Sequence, residues 1–338
     1  MLECVVNVSE GRRPELLDRL AGRAGVDLLD LHTDPYHHRS VFTLAGTVAA
    51  RQLTELAVRD LDLRSHQGVH PRLGVVDVVP FVPLHGTTMA EALAERNAFA
   101  QWAATHLRVP CFLYGPERSL PEVRRRAWSD LDPDVGPSEP HPTAGAICVG
   151  ARPVLVAYNV YLAEADVQTA KRVASLIRGP HLRALGLAVG NRVQVSMNLI
   201  EPAIIGPAQA YDAVARHAPI EQAELVGLIT ESVLQGVPQR RWHELDLDAD
   251  RTVESRMRKA LLETIKPHHA TAAHFLRLTS GGTTLRKEEI GVYSQAVRLV
   301  LPILSVFMST VVVHLLPSRH WVCSHADAYE SCVQHPRL

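Results

Sequence analysis

Apolar positions along residues 2–115 follow two alternating patterns. Short β-branched runs predict β-strands, and apolar residues that recur every three or four positions predict amphipathic helices. The predicted strands cover 2–8, 26–31, 40–46 and 74–83, and the predicted helices cover 14–24 and 48–61. These elements follow one another in the order β-α-β-β-α-β. A further helix over 88–107 and a further strand over 111–115 extend this half of the chain.

The second half repeats the order without a detectable repeat of residues. Its predicted strands cover 153–162, 184–189, 193–200 and 224–229, and its predicted helices cover 164–178 and 207–218. This βαββαβ order is the split pattern of ferredoxin-like units. Each unit covers one sheet face with helices and leaves the other face open. We therefore expect an α/β (α+β) fold of two ferredoxin-like subdomains with a ligand site between them.

Two segments fall outside this pattern. Residues 130–145 contain four prolines and two glycines, and they are either a linker or a functional loop. After Lys266 no clear period remains, although 299–316 is apolar apart from Pro302 and His314. That run just reaches the length of a membrane span. A docked apolar helix, or a tail without an evolved partner, fits the same run.

Composition narrows the class of protein. The chain has 338 residues, 46% of them hydrophobic, which suffices for two domains. Lys and Arg total 35 and Asp and Glu total 36, so no global positive field favours nucleic acid, and anion binding must come from local arginines. The five cysteines form no CxxC motif. That usage is typical of reduced, buried thiols in a cytoplasmic protein, and no signal peptide is apparent.

The stretch "SHQGVHPRLGVVDVVP", residues 65–80, contains the first candidate chemistry. His66 and His70 could join Asp34, His37 and His38 in a metal site. Pro71, however, disfavours a helical conformation at His70, so the two histidines of this stretch are not expected on one helix face. A second interpretation makes one histidine a general acid and base. A third leaves both as solvated loop residues.

Arginines beside predicted strand ends are candidates for carboxylate binding. Arg12, Arg39 and Arg72 could each clamp a carboxylate with two hydrogen bonds, or could be ordinary surface residues. Asp77 lies either on the solvent face of an edge strand or on the wall of a groove. Cys111 lies in an apolar strand, which would raise the pKa of a thiol, so we assign it to the core.

Several of these segments, in this order, resemble the formiminotransferase family. The matching segments include "ECVVNVSEG" at 3–11, "LLDLHTDPYHHRSVFT" at 28–43, "HQGVHPRLGVVDVVPFVP" at 66–83 and "DVGPSEPHPTAGAICVGAR" at 134–152. "VPCFLYG", "LVAYNVYL", "VQVSMNL" and "AELVGLI" follow the same family pattern. Together the matches span about residues 1–240. This is far more specific than any single motif.

The resemblance implies an activity and a fold. The family transfers the formimino group of N-formimidoyl-L-glutamate to N5 of tetrahydrofolate in histidine degradation, giving 5-formimidoyltetrahydrofolate and L-glutamate. Tetrahydrofolate is then a co-substrate, and no metal is required. The implied fold has two ferredoxin-like subdomains whose sheets face each other and enclose a ligand tunnel. We expect them at 1–150 and 151–266, with 267–338 as an unassigned tail.

The resemblance also implies site residues. The catalytic histidine of the family lies in an H-P-R-x-G motif, which makes His70 the expected acid and base. Arg39 and Arg72 are the candidates for the substrate carboxylates. The folate-binding loop of the family corresponds here to Gly136, Pro137, Ser138, Glu139, Pro140, His141, Pro142, Thr143, Ala144 and Gly145.

Some features depart from the family pattern or leave alternatives. His38 stands where many relatives have Asn, and Glu139, Pro140 and His141 stand where animal members have neutral residues. A folate-binding homologue without transfer activity, or a glutamate formyltransferase, would share the motifs. We expect small-molecule substrates, no nucleic acid, no membrane contact for residues 1–266, and a homodimer.

Overall fold

The computed structural model describes residues 1–68 and 71–263, which belong to one compact unit, Met1–Ala270. The fold of this unit is mixed α/β with two sheets, as the sequence predicts. The predicted tail at 267–338, including the apolar run at 299–316, lies outside the described residues. Within the described residues, no helix combines the length and the apolar character that a bilayer crossing would need.

The first sheet has six strands in the order β2-β3-β1-β4-β6-β5. β1 lies at its centre, antiparallel to both β3 and β4, while β6 runs parallel to β4 and to β5. The strands are β1 (Leu2–Val8), β2 (Leu28–Asp34), β3 (Arg39–Ala45), β4 (Val76–Pro83), β5 (Cys111–Tyr114) and β6 (Ile147–Ala151).

Helices pack on one face of the first sheet. They are α1 (Pro14–Ala24), α2 (Val48–Asp60) and α3 (Met89–Trp102). The short α4 (Leu120–Arg126) packs on the opposite face, where Val123 is buried in a cluster with Val78 and Phe112. Pro14 opens α1 at a position where a missing N–H costs nothing, and Leu16, Leu17 and Leu20 bury one side of the helix. The predicted helix at 88–107 is α-helical only as far as Trp102, because its last turn, Ala103–Leu107, is a π-helix.

The second sheet is antiparallel, with strands in the order β10-β7-β9-β8. Its strands are β7 (Val156–Leu162), β8 (Leu182–Val189), β9 (Arg192–Leu199) and β10 (Ile220–Val226). The helices of this half include α5 (Val167–Ile177), α6 (Pro207–Ala215) and α7 (Glu231–Gln235), and a further helix covers 253–263. Val173, Leu199 and Val214 are among the buried residues of its core.

Every strand and helix predicted in the two βαββαβ orders is present, with ends that differ by a few residues. The largest difference is β10, which begins at Ile220 instead of 224. Its first three residues are half-buried or exposed and carry no apolar run, and pairing with β7 makes them part of the strand. The predicted order lacks β6, α4, α7 and the helix at 253–263. β6 matters most, since it inserts between β4 and β5 and pairs with both.

Polar side chains, buried or half-buried, join the edge of the first sheet to the second sheet. Nε2 of His37 lies 3.1 Å from Nε2 of Gln194 on β9, and both side chains are buried. Nε2 of His32 on β2 lies 3.7 Å from a carboxylate oxygen of Glu224 on β10. Burial lowers the pKa of both histidines, although the nearby carboxylates of Glu224 and Asp34 oppose the shift.

The burial of His32 and His37 predicts that the protein loses stability as the pH falls below about 6.5, the ordinary pKa of histidine. Because the folded pKa of His32 and His37 is lowered, the unfolded chain binds more protons than the folded chain below that pH. Urea unfolding at pH 7.5 and pH 5.5 measures the loss. The loss should be smaller in His37→Asn and unchanged in His85→Asn, whose histidine is exposed. An equal loss in both variants would contradict the assignment.

A candidate ligand site between the two sheets

A cavity of about 850 Å³ lies between the two sheets. Its walls include Asn7, Val41 and Thr43 of the first sheet and Asn159 and Ser196 of the second. The volume lies in the upper part of the range of small-molecule sites in proteins, and it exceeds what one amino acid fills.

Strand alternation explains how the same strands build both a core and this cavity. Along β1, the side chains of Cys4, Val6 and Val8 are buried in the core that the helices cover. The intervening Glu3, Val5 and Asn7 line the cavity. Successive side chains of a strand point to opposite faces, so the helix-covered face and the cavity face follow directly from the sequence of the strand.

Arginines dominate the charged residues on the cavity wall. In the described part of the chain, the only acidic side chain that lines the cavity is Glu3, which is buried, and burial raises its pKa toward the neutral form. Arg118 is paired with Asp134. The wall is therefore suited to anionic ligands that carry carboxylates. The arginines on the wall are Arg39, Arg118, Arg124, Arg152, Arg178 and Arg183.

Asp77 is buried behind the cavity-lining Arg124, so neither an exposed place on an edge strand nor a place on the wall itself is correct. Its residue is 1% exposed, and β4 is an interior strand. Its Oδ1 accepts a hydrogen bond from the backbone N–H of Leu73 at 2.7 Å. Arg124 donates to both carboxylate oxygens, at 3.3 Å from Nη1 to Oδ1 and 2.5 Å from Nη2 to Oδ2. Sequence reasoning missed Arg124, because α4 was not predicted and nothing local marks this arginine among its neighbours.

The two arginines proposed from sequence lie in different places. Arg39 lines the cavity, and its Nη1 donates to Oδ1 of Asn7 at 3.1 Å. Arg72 donates to the backbone carbonyls of His66 and Gly68, each at 3.1 Å. The guanidinium of Arg72 therefore stabilises the loop that precedes it, and the described residues that line the cavity include Pro71 but not Arg72.

His70, the expected acid and base, lies outside the described residues. In the segment that precedes His70, the side chains of His38 and His66 contact the backbone and each other. Nδ1 of His38 lies 3.0 Å from the carbonyl oxygen of Gln67, and its Nε2 lies 3.1 Å from Oε1 of Glu10. The ring of His66 stacks on that of His38 at 4.1 Å, and its Nε2 lies 2.8 Å from the carbonyl oxygen of His38. Burial lowers the pKa of His66, which favours its neutral ring.

Glu10 anchors this group of residues to the start of α1. Its Oε1 accepts hydrogen bonds from the backbone N–H groups of Gly11, Arg12 and Arg13 at 2.9, 2.7 and 3.1 Å. Burial alone would raise the pKa of Glu10, but these bonds, the side chain of Arg13 and the nearby His38 hold it below its ordinary value. A charged Glu10 therefore stabilises both the helix N-terminus and the ring of His38.

Residues 136–145 form an outward loop with an anchored end. Residues 136–140 are exposed, whereas His141 and Gly145 exchange two backbone hydrogen bonds of 2.9 Å. The N–H of Val75 donates to the carbonyl of Ala144 at 2.9 Å. The loop thus pairs with the segment that follows Arg72, although residues 136–145 are not among the described residues that line the cavity.

The histidines weighed for a metal site face different partners. His37 faces Gln194, whereas His38 and His66 stack on each other. Within residues 1–68 and 71–263, no three His, Cys, Asp or Glu side chains are grouped as metal ligands.

An arginine-lined cavity between two sheets is typical of an α/β protein with a site suited to small anionic molecules. Comparison with known proteins gives the family. Residues 1–152 match the family model of the formiminotransferase domain, N-terminal subdomain. The chain therefore belongs to the formiminotransferase family, a membership that its curated relatives establish over a longer range.

Three relatives give the extent of the similarity. Glutamate formimidoyltransferase of Streptococcus pyogenes serotype M1 is 38% identical over 231 residues, 59% of this chain and 77% of that protein. The protein of the same name from Thermoplasma acidophilum is 33% identical over 299 residues, 77% of this chain and 98% of that protein. Formimidoyltransferase-cyclodeaminase of Sus scrofa is 33% identical over 271 residues, 68% of this chain but 50% of that protein.

The close approach of Gly145 to the backbone of Leu73, at the end of the loop, predicts that one substitution lowers the stability of the protein. Gly145 has φ +71°, and a Cβ there would lie 2.2 Å from the carbonyl oxygen of Leu73. Gly145→Ala should therefore lower the free energy of unfolding by at least about 1–3 kcal/mol, the usual cost of such backbone strain. Urea unfolding at pH 7.5 measures it.

Gly22 provides the matched control. It lies inside α1, and an added Cβ would meet no atom within 4 Å. Gly22→Ala should raise the free energy of unfolding by roughly 0.5–1 kcal/mol, because alanine loses less backbone freedom in a helix. Equal stability of Gly145→Ala and the wild type would show that the backbone at Gly145 and Leu73 can move apart without cost.

Proposed function

We propose that this protein transfers the formimino group of N-formimidoyl-L-glutamate to N5 of tetrahydrofolate, with L-glutamate as the second product, in histidine degradation. The observation that carries the proposal is the similarity to two proteins named glutamate formimidoyltransferase, one of them matched over 98% of its length. The proposal makes the protein a one-carbon group transferase with tetrahydrofolate as co-substrate. Its chemistry calls for no metal.

The cavity supports this choice of ligands. Formimidoylglutamate carries two carboxylates, and the glutamate portion of folate carries two more. Guanidinium groups bind carboxylates with two parallel hydrogen bonds, and six arginines line the cavity. A volume of about 850 Å³ is in the range that holds a drug-sized ligand, which leaves room for both reactants to meet.

The strand orders support two ferredoxin-like subdomains. β2-β3-β1-β4 of the first sheet and β8-β9-β7-β10 of the second place their four strands in the same spatial order. We take each set as a ferredoxin-like βαββαβ subdomain, the first spanning 1–150 and the second 151–266, with β5 and β6 as additions to the first. The cavity is then the ligand tunnel between the facing sheets.

The reaction needs one group that both accepts and donates a proton. N5 attacks the amidine carbon, and the tetrahedral intermediate must lose a proton from N5 and gain one on the glutamate nitrogen before that nitrogen leaves. A histidine near its ordinary pKa can do both. We assign this role to His70, since it directly precedes Pro71 on the cavity wall and Pro71 restricts its backbone.

Substrate and folate contacts follow from the same placement. Arg39 is proposed to bind a substrate carboxylate from the cavity wall. Arg72 is also proposed to bind a substrate carboxylate, from the loop that its guanidinium stabilises. Residues 136–145 are proposed to bind folate, with exposed 136–140 free to close on it and 141–145 held against the segment after His70.

A reducing compartment and a dimer complete the proposal. Cys4, Cys111 and Cys148 are buried free thiols, and burial raises the pKa of Cys111 to about 12. Inert thiols of this kind are compatible with the cytoplasm. A homodimer is also proposed, and light scattering of the purified protein tests it.

The proposed function predicts turnover of N-formimidoyl-L-glutamate with tetrahydrofolate and loss of that turnover in His70→Asn. The substitution removes the titrating group, so kcat should fall on the order of 10²–10⁴-fold while folate still binds. His66→Asn should cost clearly less, because His66 supports the loop. Steady-state kinetics with all three proteins measures both effects.

Two results would contradict the proposal. Absence of turnover in the wild type, with folate bound, would indicate a binding protein without transfer activity. Faster turnover of N-formyl-L-glutamate in a parallel assay would indicate a formyltransferase. Unchanged kcat in His70→Asn would remove His70 from the chemistry but leave the overall activity in place.

A further inference from the structure

We propose that Arg124 is a further substrate-binding residue, whose guanidinium, held by Asp77, binds a carboxylate of formimidoylglutamate inside the cavity. This inference rests on the proposed function. It adds to the two arginines chosen from sequence a third one that only the structure brings to the site.

The direction of Arg124 is set by its short helix. α4 ends with three arginines, and Val123 is buried beneath them. Arg125 is exposed, and Arg126 pairs with Glu122 and Asp130 on the outside of the molecule. Of these three arginines, Arg124 is the one that lines the cavity, with its side chain 19% exposed.

Asp77 fixes the guanidinium without using all of its donors. Arg124 makes one hydrogen bond from each terminal nitrogen to Asp77, and a guanidinium has five N–H groups. The Asp77 side chain is 2% exposed, so the pair is held in a low-dielectric wall. A ligand carboxylate therefore meets an arginine whose position is already fixed, which reduces the entropy lost on binding.

The position of the Arg124–Asp77 pair favours a carboxylate of formimidoylglutamate over one of folate. Asp77 also accepts from the N–H of Leu73, three residues after His70 and two after the cavity residue Pro71. In formimidoylglutamate the carboxylates lie a few bonds from the transferred carbon. In tetrahydrofolate the carboxylates are separated from N5 by the aminobenzoyl group. A cation beside the reacting end of the cavity therefore fits the carboxylate of the small donor better than those of folate.

Arg124→Gln tests the inference against Arg125→Gln, a control on the same helix. KM for formimidoylglutamate should rise about ten- to hundred-fold in Arg124→Gln, the loss expected for one charge-assisted hydrogen bond or pair. KM for tetrahydrofolate should change by less than about two-fold, and kcat should fall less than KM for the donor rises. Arg125→Gln should match the wild type in all three.

Asp77→Asn separates binding by Arg124 from positioning by Asp77. Asparagine keeps an oxygen that accepts from Leu73 but loses the charge that holds Arg124. It should raise KM for the donor less than Arg124→Gln does. The double variant should resemble Arg124→Gln alone, because Asp77 acts on the substrate through Arg124. The double variant also contains no unpaired charge at this position, so it serves if Arg124→Gln alone does not fold.

Calorimetry keeps this inference distinct from the proposed function. Calorimetric binding of formimidoylglutamate to the wild type and the variants needs no turnover, and Arg124→Gln should weaken it by the same factor as KM. Folded variants with unchanged KM and unchanged donor binding would overturn the assignment. A rise in KM for tetrahydrofolate alone would also overturn it, since the carboxylate bound would then belong to folate.

Discussion

The buried carboxylate of Asp77 connects three parts of the molecule that are distant in sequence. It lies on interior strand β4, accepts the N–H of Leu73 in the segment after the H-P-R motif, and pairs with Arg124 of α4. A buried charge that loses its partner costs about 3–5 kcal/mol, so strand, loop and helix are constrained together. The wall of the cavity depends on this constraint, because it fixes both a guanidinium and the chain beside Pro71.

Strand geometry explains why one face of each sheet forms the core and the other lines the cavity. On β1 and β3, alternate residues such as Val6, Phe42 and Leu44 are buried in the core, and the residues between them line the cavity. Helices α1, α2 and α3 stabilise the first sheet from one face, while the other face holds polar and charged side chains and the short α4. A substitution on the cavity face is therefore expected to change ligand binding more than stability.

Much of the fold could be predicted from local pattern. Pro14 and the leucines of α1 predict the helix at the bounds that the structure gives it, and short apolar runs predict nine of the ten strands found in the described residues. β6 was missed because "ICVGA" is short and directly follows a proline-rich loop, and only its parallel pairing with β4 and β5 makes it a strand. Pairings between distant segments leave no local periodicity.

The candidate site was less accessible from sequence for the same reason. The motif around His66 and the loop at 136–145 are local signals, and they led to the family that the comparisons show. Arg39, a candidate from sequence, is the first residue of β3 and lines the cavity, whereas Arg72 donates to its own loop, and the carboxylate-binding role of both stays a prediction. Arg124 carries no local signal at all, since two further arginines follow it and only the fold turns it toward Asp77.

The central prediction is that the ligands bind in the cavity between the two sheets. Hydrogen–deuterium exchange with tetrahydrofolate and L-glutamate, which together cannot react, tests it most directly. Bound ligands should slow exchange in strands of both sheets, β1 and β3 on one side and β7 and β9 on the other, as well as in residues 136–145. Slower exchange in the loop alone, with both sheets unchanged, would contradict a site inside the cavity.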